Sequence, residues 1–265
     1  MYSPLRLAFK YIYYYLTAAN GRGHGIHSPF IFDFIKKVLN DKNYYPAYDG
    51  VEQLRKQLLK DQTLLTIKDF GAGSAIDKTN QRTIASIAKN AAKPKKYGQL
   101  IYRMVKYYQP QTVLELGTSL GITTSYLATA NSRAKVITME GATEIADIAR
   151  ENFRILEIRN IEIKEGNFDN TLPSVIGQQP LVDFVFIDGN HRNEPTIRYF
   201  HQLLTKTNND SILVFDDIHW NMEMEQAWQT IRKHPSVRCS IDLFFIGIIL
   251  LRQEFKEKNH HTIRF

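Results

Sequence analysis

The residues best suited to chemistry are glycines and carboxylates that follow short apolar runs. The first set is Glu115-Leu-Gly117-Thr-Ser119-Leu-Gly121, set between the run Thr112-Val-Leu and a helical pattern. Gly117 and Gly121 let the backbone turn sharply and approach a ligand where side chains would collide, so the stretch reads as a nucleotide cradle. Its spacing departs from the G-x-G-x-x-G of pyrophosphate binders, whose helix N-terminal amides face a diphosphate. Any tight loop uses glycines, so the motif gains force only from acidic residues at the ends of the neighbouring runs. Glu140 closes the next apolar run, Lys135 to Met139, where a carboxylate can accept both hydroxyls of a ribose. Glu165-Gly-Asn167-Phe168-Asp169 ends a third run and offers Asn167 to an adenine amino group, with Phe168 as a cover for the ring.

Aspartates end two further runs: Asp188 after Val182 to Ile187, and Asp216-Asp217 after Ser211 to Phe215. Carboxylates at neighbouring strand ends converge, and clustered like charges are costly unless a cation or a basic group neutralises them. Two readings stand side by side. In one, Asp188, Asp216 and Asp217 bind a hard cation such as Mg2+. In the other, one caps a helix and another contacts cofactor or substrate without metal. His191 and His219 lie just downstream, and an imidazole there could serve as general base near neutral pH or be merely structural.

The elements that must position these residues follow from periodicity. Strands are predicted at Thr112 to Leu116, Lys135 to Met139, Ile161 to Lys164, Val182 to Ile187 and Ser211 to Phe215, alternating with helices at Thr123 to Ala130, Glu144 to Leu156, Pro195 to Leu204 and Met222 to Lys233. Runs such as Val182-Asp-Phe-Val-Phe-Ile187 are apolar on both faces, as parallel strands covered by helices on both sides must be. Val237 to Leu243 and Gly247 to Arg252 have no helix between them and should pair antiparallel. The expected fold is α/β, a Rossmann-like doubly wound sheet, mostly parallel, with an antiparallel C-terminal hairpin. Ahead of it lies an N-terminal helical extension, residues 1–80, before a main domain at 81–265. The extension carries an aromatic helix from Pro4 to about Ala19, a helix opened by Ser28-Pro29, and another at Val51 to Leu59.

Composition bounds the classes. The chain has 265 residues, 43% of them hydrophobic, enough for a substantial core. Its longest apolar stretch, Leu243 to Leu251, is far short of the roughly 20 residues a spanning helix needs. One cysteine, Cys239, excludes an intramolecular disulfide framework and fits a cytoplasmic location. The net charge of +7 is uneven, with 18 Lys and Arg against 7 Asp and Glu in residues 1–110. A basic front could meet nucleic acid or an anionic membrane, but Lys and Arg also solubilise helices, and that plainer reading is preferred.

The motifs Lys96-Tyr-Gly98-Gln99, Val113-Leu-Glu-Leu-Gly-Thr-Ser-Leu-Gly121, Thr138-Met-Glu140, Phe186-Ile-Asp188 and Val214-Phe-Asp-Asp217, in order over roughly residues 95 to 252, resemble the catechol O-methyltransferase-like branch of the class I S-adenosylmethionine (SAM)-dependent methyltransferases. The resemblance implies a seven-stranded sheet and methyl transfer from SAM to a small-molecule acceptor, at an oxygen, with or without Mg2+. It implies that Glu115, Gly117 and Ser119 line the methionine end of the cofactor, with Gly121 also among the cofactor-binding residues. Glu140 would hold the ribose, Asn167 and Phe168 would border the adenine, and Asp188 would lie beside the cofactor. Asp188, Asp216 and Asp217 match the cation ligands of metal-dependent members. Two departures stand out: that family usually has asparagine where this chain has Asp217, and its catalytic lysine is replaced by His191, which with Asp188 is the candidate for catalysis. A SAM-binding protein whose basic aromatic front recognises RNA or a membrane is the alternative reading.

Two segments fall outside that resemblance. Leu5 to Leu16 is apolar around most of its circumference, so it must be buried against its own sheet domain or a second copy of the chain, as a lid or a dimer arm. Lys68-Asp-Phe-Gly71-Ala-Gly73-Ser74 mimics a second nucleotide loop, but no βαβ partner ending in an acid follows within about 30 residues, and it is read as a turn or hairpin.

Overall fold

The computed structural model describes residues 1–23, 28–67, 81–91 and 93–265. In chain order the elements are α1 (Pro4–Thr17), α2 (Pro29–Phe34) continued by a π-turn (Ile35–Leu39), α3 (Ala47–Leu58), β1 (Leu64–Thr66), β2 (Gln81–Thr83), α4 (Ile84–Ala91) and α5 (Lys95–Tyr108). The alternating part comes next as β3 (Thr112–Leu116), α6 (Ile122–Ala130), β4 (Lys135–Glu140), α7 (Thr143–Ile155), β5 (Ile161–Glu165), α8 (Phe168–Gly177), β6 (Phe184–Ile187), α9 (Asn193–Leu204), β7 (Ile212–Asp216) and α10 (Met222–Lys233). Three strands end the chain: β8 (Cys239–Asp242), β9 (Ile246–Leu250) and β10 (Asn259–Thr262). Contacts group the residues into two compact units, Lys42–Val175 and Met1–Asp41 with Ile176–Phe265.

In the unit Lys42–Val175, β3, β4 and β5 lie side by side and parallel, in the register Glu115↔Thr138 and Glu140↔Glu165. Val113, Leu114, Val136 and Ile137 are almost wholly buried, as the two-sided apolar runs require. Helix α6 is uncharged and built of small and apolar residues because it is covered on most sides, and eight of its residues are buried. It approaches α5 closely only because Gly98 has no side chain: a Cβ there would lie 2.6 Å from the Tyr126 ring. The short strands β1 and β2 pair antiparallel, and Lys68 to Ser74 between them lies outside the described residues.

In the other unit, β6 and β7 are parallel, β7 and β9 antiparallel, and β8 and β9 antiparallel, giving the hairpin expected at the C-terminal end. Strand β10 then runs parallel beside β8, adding one strand to the seven implied by resemblance. Its polar sequence Asn-His-His-Thr hid it. The sheet and α10 meet at Gly247, where a Cβ would lie 2.7 Å from the buried Trp228 ring. Helix α1 starts on a Ser3 cap whose hydroxyl accepts the Arg6 amide, 3.3 Å. One of its faces, Leu7, Tyr11, Tyr14 and Ala18, packs on Phe244 and Phe245, while Leu5, Phe9, Ile12 and Leu16 stay exposed on the opposite side. Among the described residues no helix is long and apolar enough to cross a membrane.

Candidate functional site

The first group of candidate residues sits at the carboxyl ends of β3, β4 and β5. The turn after β3 is tight because three of its residues take left-handed backbone: Gly117 at φ 105°, Ser119 at φ 47° and Gly121 at φ 78°. At Gly121 a Cβ would come within 2.5 Å of the Phe153 ring, so this glycine is fixed by both conformation and space. The amides of Gly117 and Thr118 both donate to the Met139 carbonyl, 3.0 Å each, and pin the turn to β4.

Two carboxylates hold the turn from either side. Glu115 is fully buried, and its Oε2 accepts the hydroxyls of Thr124 on α6 and Thr138 on β4, the latter at 2.6 Å. Thr118 and Thr138 bond each other at 2.6 Å, closing a small buried network. Glu140 accepts the Ser119 amide on one oxygen, 2.8 Å, and the Ala142 amide on the other, 3.0 Å. The threonine partners of Glu115 and the Ser119 amide on Glu140 had no signal in the sequence, since these bonds join residues 9 to 23 positions apart.

After β5, Gly166 takes φ 127°, and Asn167 opens α8 as its cap: its Oδ1 accepts the Asp169 amide at 2.8 Å, and its carbonyl accepts the Thr171 amide. Phe168, half-buried, is the first residue of that helix. Glu165 forms an ion pair with Arg150, which holds its carboxyl below the usual range together with a bond from Thr143, the larger cause.

The second group lies in the other unit. Strands β6 and β7 pair with Ile187 opposite Phe215, so Asp188 and Asp216 are the next residues at two adjacent carboxyl ends. With His191 they offer one ligand atom each within 4.8 Å of one another. His191 Nε2 lies 3.4 Å from Asp188 Oδ1, and its Nδ1 is buried without a hydrogen bond among the described residues. The His191 loop is tied to α10 through Asn221, whose side-chain amide donates to the His191 carbonyl (3.1 Å) and whose Oδ1 caps α10 at Met224 (2.7 Å). Asp217 stands outside the group: it turns the chain at φ 53°, and its carbonyl accepts the Trp220 amide. Two carboxylates and an imidazole are a donor set suited to a divalent cation, with the nitrogen favouring a transition metal over Mg2+. His219 has both ring nitrogens engaged with carboxylates, 3.0 Å to Glu225 and 2.8 Å to Asp242, and is not placed to take a substrate proton.

Residues 114–218, which span most of both groups, match a family model described as a methyltransferase domain. No curated protein matches the chain in sequence. Solved structures do resemble it in fold. The SAH-bound methyltransferase PaMTH1 of Podospora anserina superposes with a TM-score of 0.59 at 12% identity, over 84% of this chain and 96% of that one. An O-methyltransferase of Bacillus cereus in complex with SAH gives 0.52 at 18% identity, over 83% and 97%. TomG, the O-methyltransferase of Streptomyces achromogenes involved in tomaymycin synthesis and crystallised with SAM, gives 0.56 at 16% identity, over 79% and 91%.

Proposed function

We propose that this chain, whose residues 114–218 are a methyltransferase domain, moves a methyl group from SAM to an oxygen of a small molecule. The observation that carries the reading is the glycine turn of that domain: left-handed at Gly117, Ser119 and Gly121, and clamped by Glu140. SAM has no phosphate, so a turn without a diphosphate fingerprint suits it, and Glu140, at the carboxyl end of β4, stands where a carboxylate would accept the ribose hydroxyls. Glu115 braces the turn through Oε2, which accepts the Thr124 and Thr138 hydroxyls, and would line the methionine end of the cofactor with Gly117 and Ser119. Asn167 and Phe168, at the start of α8, would border the adenine. The likeness in fold to O-methyltransferases bound to SAH or SAM supports the same reaction.

In that reaction the acceptor oxygen attacks the methyl carbon in line, the carbon–sulfur bond breaks, and the sulfur keeps the electron pair. Catalysis comes mostly from alignment in a water-poor site. The acceptor proton passes to His191, whose Nε2 faces Asp188 and whose Nδ1 has no other partner among the described residues. A second reading is favoured by the convergence of Asp188, His191 and Asp216: these residues would hold a divalent cation. Such a cation, when bound, would lower the pKa of the acceptor hydroxyl. The test is calorimetry with SAM and SAH, then methyl transfer to a panel of hydroxylated small molecules, with chelator and with added Mg2+ or Mn2+. No affinity for SAM would remove the proposal. Activity that survives chelation removes the cation reading and leaves the proton to the protein's own groups, His191 first among them.

The exposed seam of α1, Leu5, Phe9, Ile12 and Leu16, supports pairing with a second copy of the chain. The 4-3-4 spacing suits helix packing, and the seam carries no charge: Lys10 pairs with Glu225, and Arg6 lies over the Tyr2 ring. A cytoplasmic location fits the buried free Cys239.

A further inference from the structure

We infer that His219 is a proton-operated clip that fastens α1 to its own unit, closed while the imidazole carries two protons and open once it carries one. The geometry demands the double protonation. Nδ1 faces Glu225 Oε1 at 3.0 Å and Nε2 faces Asp242 Oδ2 at 2.8 Å. An imidazolium donates to both carboxylates, whereas a neutral ring has one N–H and one lone pair, so one carboxylate would face a lone pair at contact distance.

Both partners lead to α1. Glu225, on α10, accepts the Tyr2 hydroxyl at 2.7 Å and the Lys10 ammonium at 2.8 and 3.1 Å. Asp242, on β8, accepts the Phe244 amide at 2.8 Å with its other oxygen and so holds the turn in which Phe244 takes φ 71°. The Phe244 ring stacks on the imidazole, 5.1 Å between centroids, and meets Tyr11 at 5.1 Å and Tyr14 at 5.3 Å. One histidine thus supports the inner seam of α1 at Tyr2 and Lys10 and again at Tyr11 and Tyr14.

The charged and titratable groups around the clip are Lys10, Arg6, Tyr2, Tyr11 and Tyr14 from the front segment, Glu225 from α10, Asp242 from β8, and Arg264, over the Tyr15 ring, from the chain end. Burial opposes the charge on His219, but the bonds and charges of Asp242 and then Glu225 outweigh it and hold the pKa above the ordinary 6.5. A pKa raised in the folded state gives stability that is full below the ordinary value and is lost as pH rises through the raised one. Glu225 sets the acid limit: burial raises its pKa, yet Lys10, Tyr2 and His219 together hold it low, so its share is lost as pH falls through that depressed value. The device releases α1 on the alkaline side.

The test is hydrogen exchange on the full chain, corrected for the intrinsic pH dependence, with the His219 ring followed by NMR. Between about pH 6 and about pH 9, protection of residues 4–17 should fall about tenfold for each unit by which the His219 pKa is raised, while β6 and β7 hold theirs. Glu225→Gln, which removes one anion and keeps the shape, should move the release to lower pH. His219→Gln should leave α1 weakly protected at every pH. Protection of α1 that ignores pH in the unaltered chain, a ring that is neutral at pH 6, or a Glu225→Gln profile that does not shift would overturn the inference.

Discussion

The two groups of candidate residues are built on opposite principles. The turn of Gly117 to Gly121 is held by the protein's own bonds: Glu115 is bonded to Thr124 and Thr138, and Glu140 holds two backbone amides. The Asp188, His191 and Asp216 group instead gathers two acidic groups and an imidazole, with His191 Nε2 still 3.4 Å from Asp188 Oδ1. Like charges brought together cost free energy until a proton, a cation or a ligand neutralises them. The first arrangement fits a region that binds a constant cofactor in one pose. The second fits a region whose charges are used when substrate or cation is present.

The largest expected effect tests the pre-built turn. Gly121→Val adds a branched side chain at φ 78° and within 2.5 Å of the Phe153 ring, and should destabilise the fold by about 3 kcal/mol while removing SAM affinity. Thermal denaturation and calorimetry on the same sample check both parts; a stable variant that binds SAM would mean the turn is not the cradle. Next in size is Asp216→Asn, which keeps the shape and removes a charge. Turnover should drop roughly a hundredfold with SAM affinity unchanged. Single-turnover rates beside calorimetry decide it, and an equal loss in both would erase the division between the regions. Glu140→Ala should weaken SAM binding by about 2 kcal/mol. Glu140→Gln, which keeps one acceptor oxygen, should recover part of that, and an unchanged affinity in Glu140→Ala would take the residue out of the site.

Much of this was legible in the sequence because parallel strands and their end residues obey a regular code. Thr112 to Leu116 coincides with β3, and Met222 to Lys233 with α10. Where local signal failed, the cause is physical. Helix α8 carries Pro173 inside it and ends on Gly177, both of which read as breakers. The adjacent Asp216 and Asp217 invite one shared role, yet the left-handed turn at Asp217 separates it from the Asp188 group and leaves His191 as the third member. His219 looked like a spare base because its partner Asp242 lies 23 residues away, on a strand whose register no local pattern announces. Pairings across the fold are set by tertiary packing, and a single sequence records only their ends.

The smallest expected effect separates the two uses of the acidic group. His191→Gln removes the imidazole but keeps a polar side chain beside Asp188, and the loop should survive because its tie to Asn221 runs through the His191 carbonyl. SAM affinity should stay within about twofold, since the bonds that hold the cradle turn run through Glu115 and Glu140 and not through His191. Turnover should fall roughly tenfold, the low end for a lost proton acceptor. The means of rescue then discriminates. If His191 takes the acceptor proton, a more acidic acceptor phenol recovers rate. If His191 is a cation ligand, raised Mn2+ restores the rate instead. A variant with full turnover would exclude both roles and leave Asp188 and Asp216 to act without it.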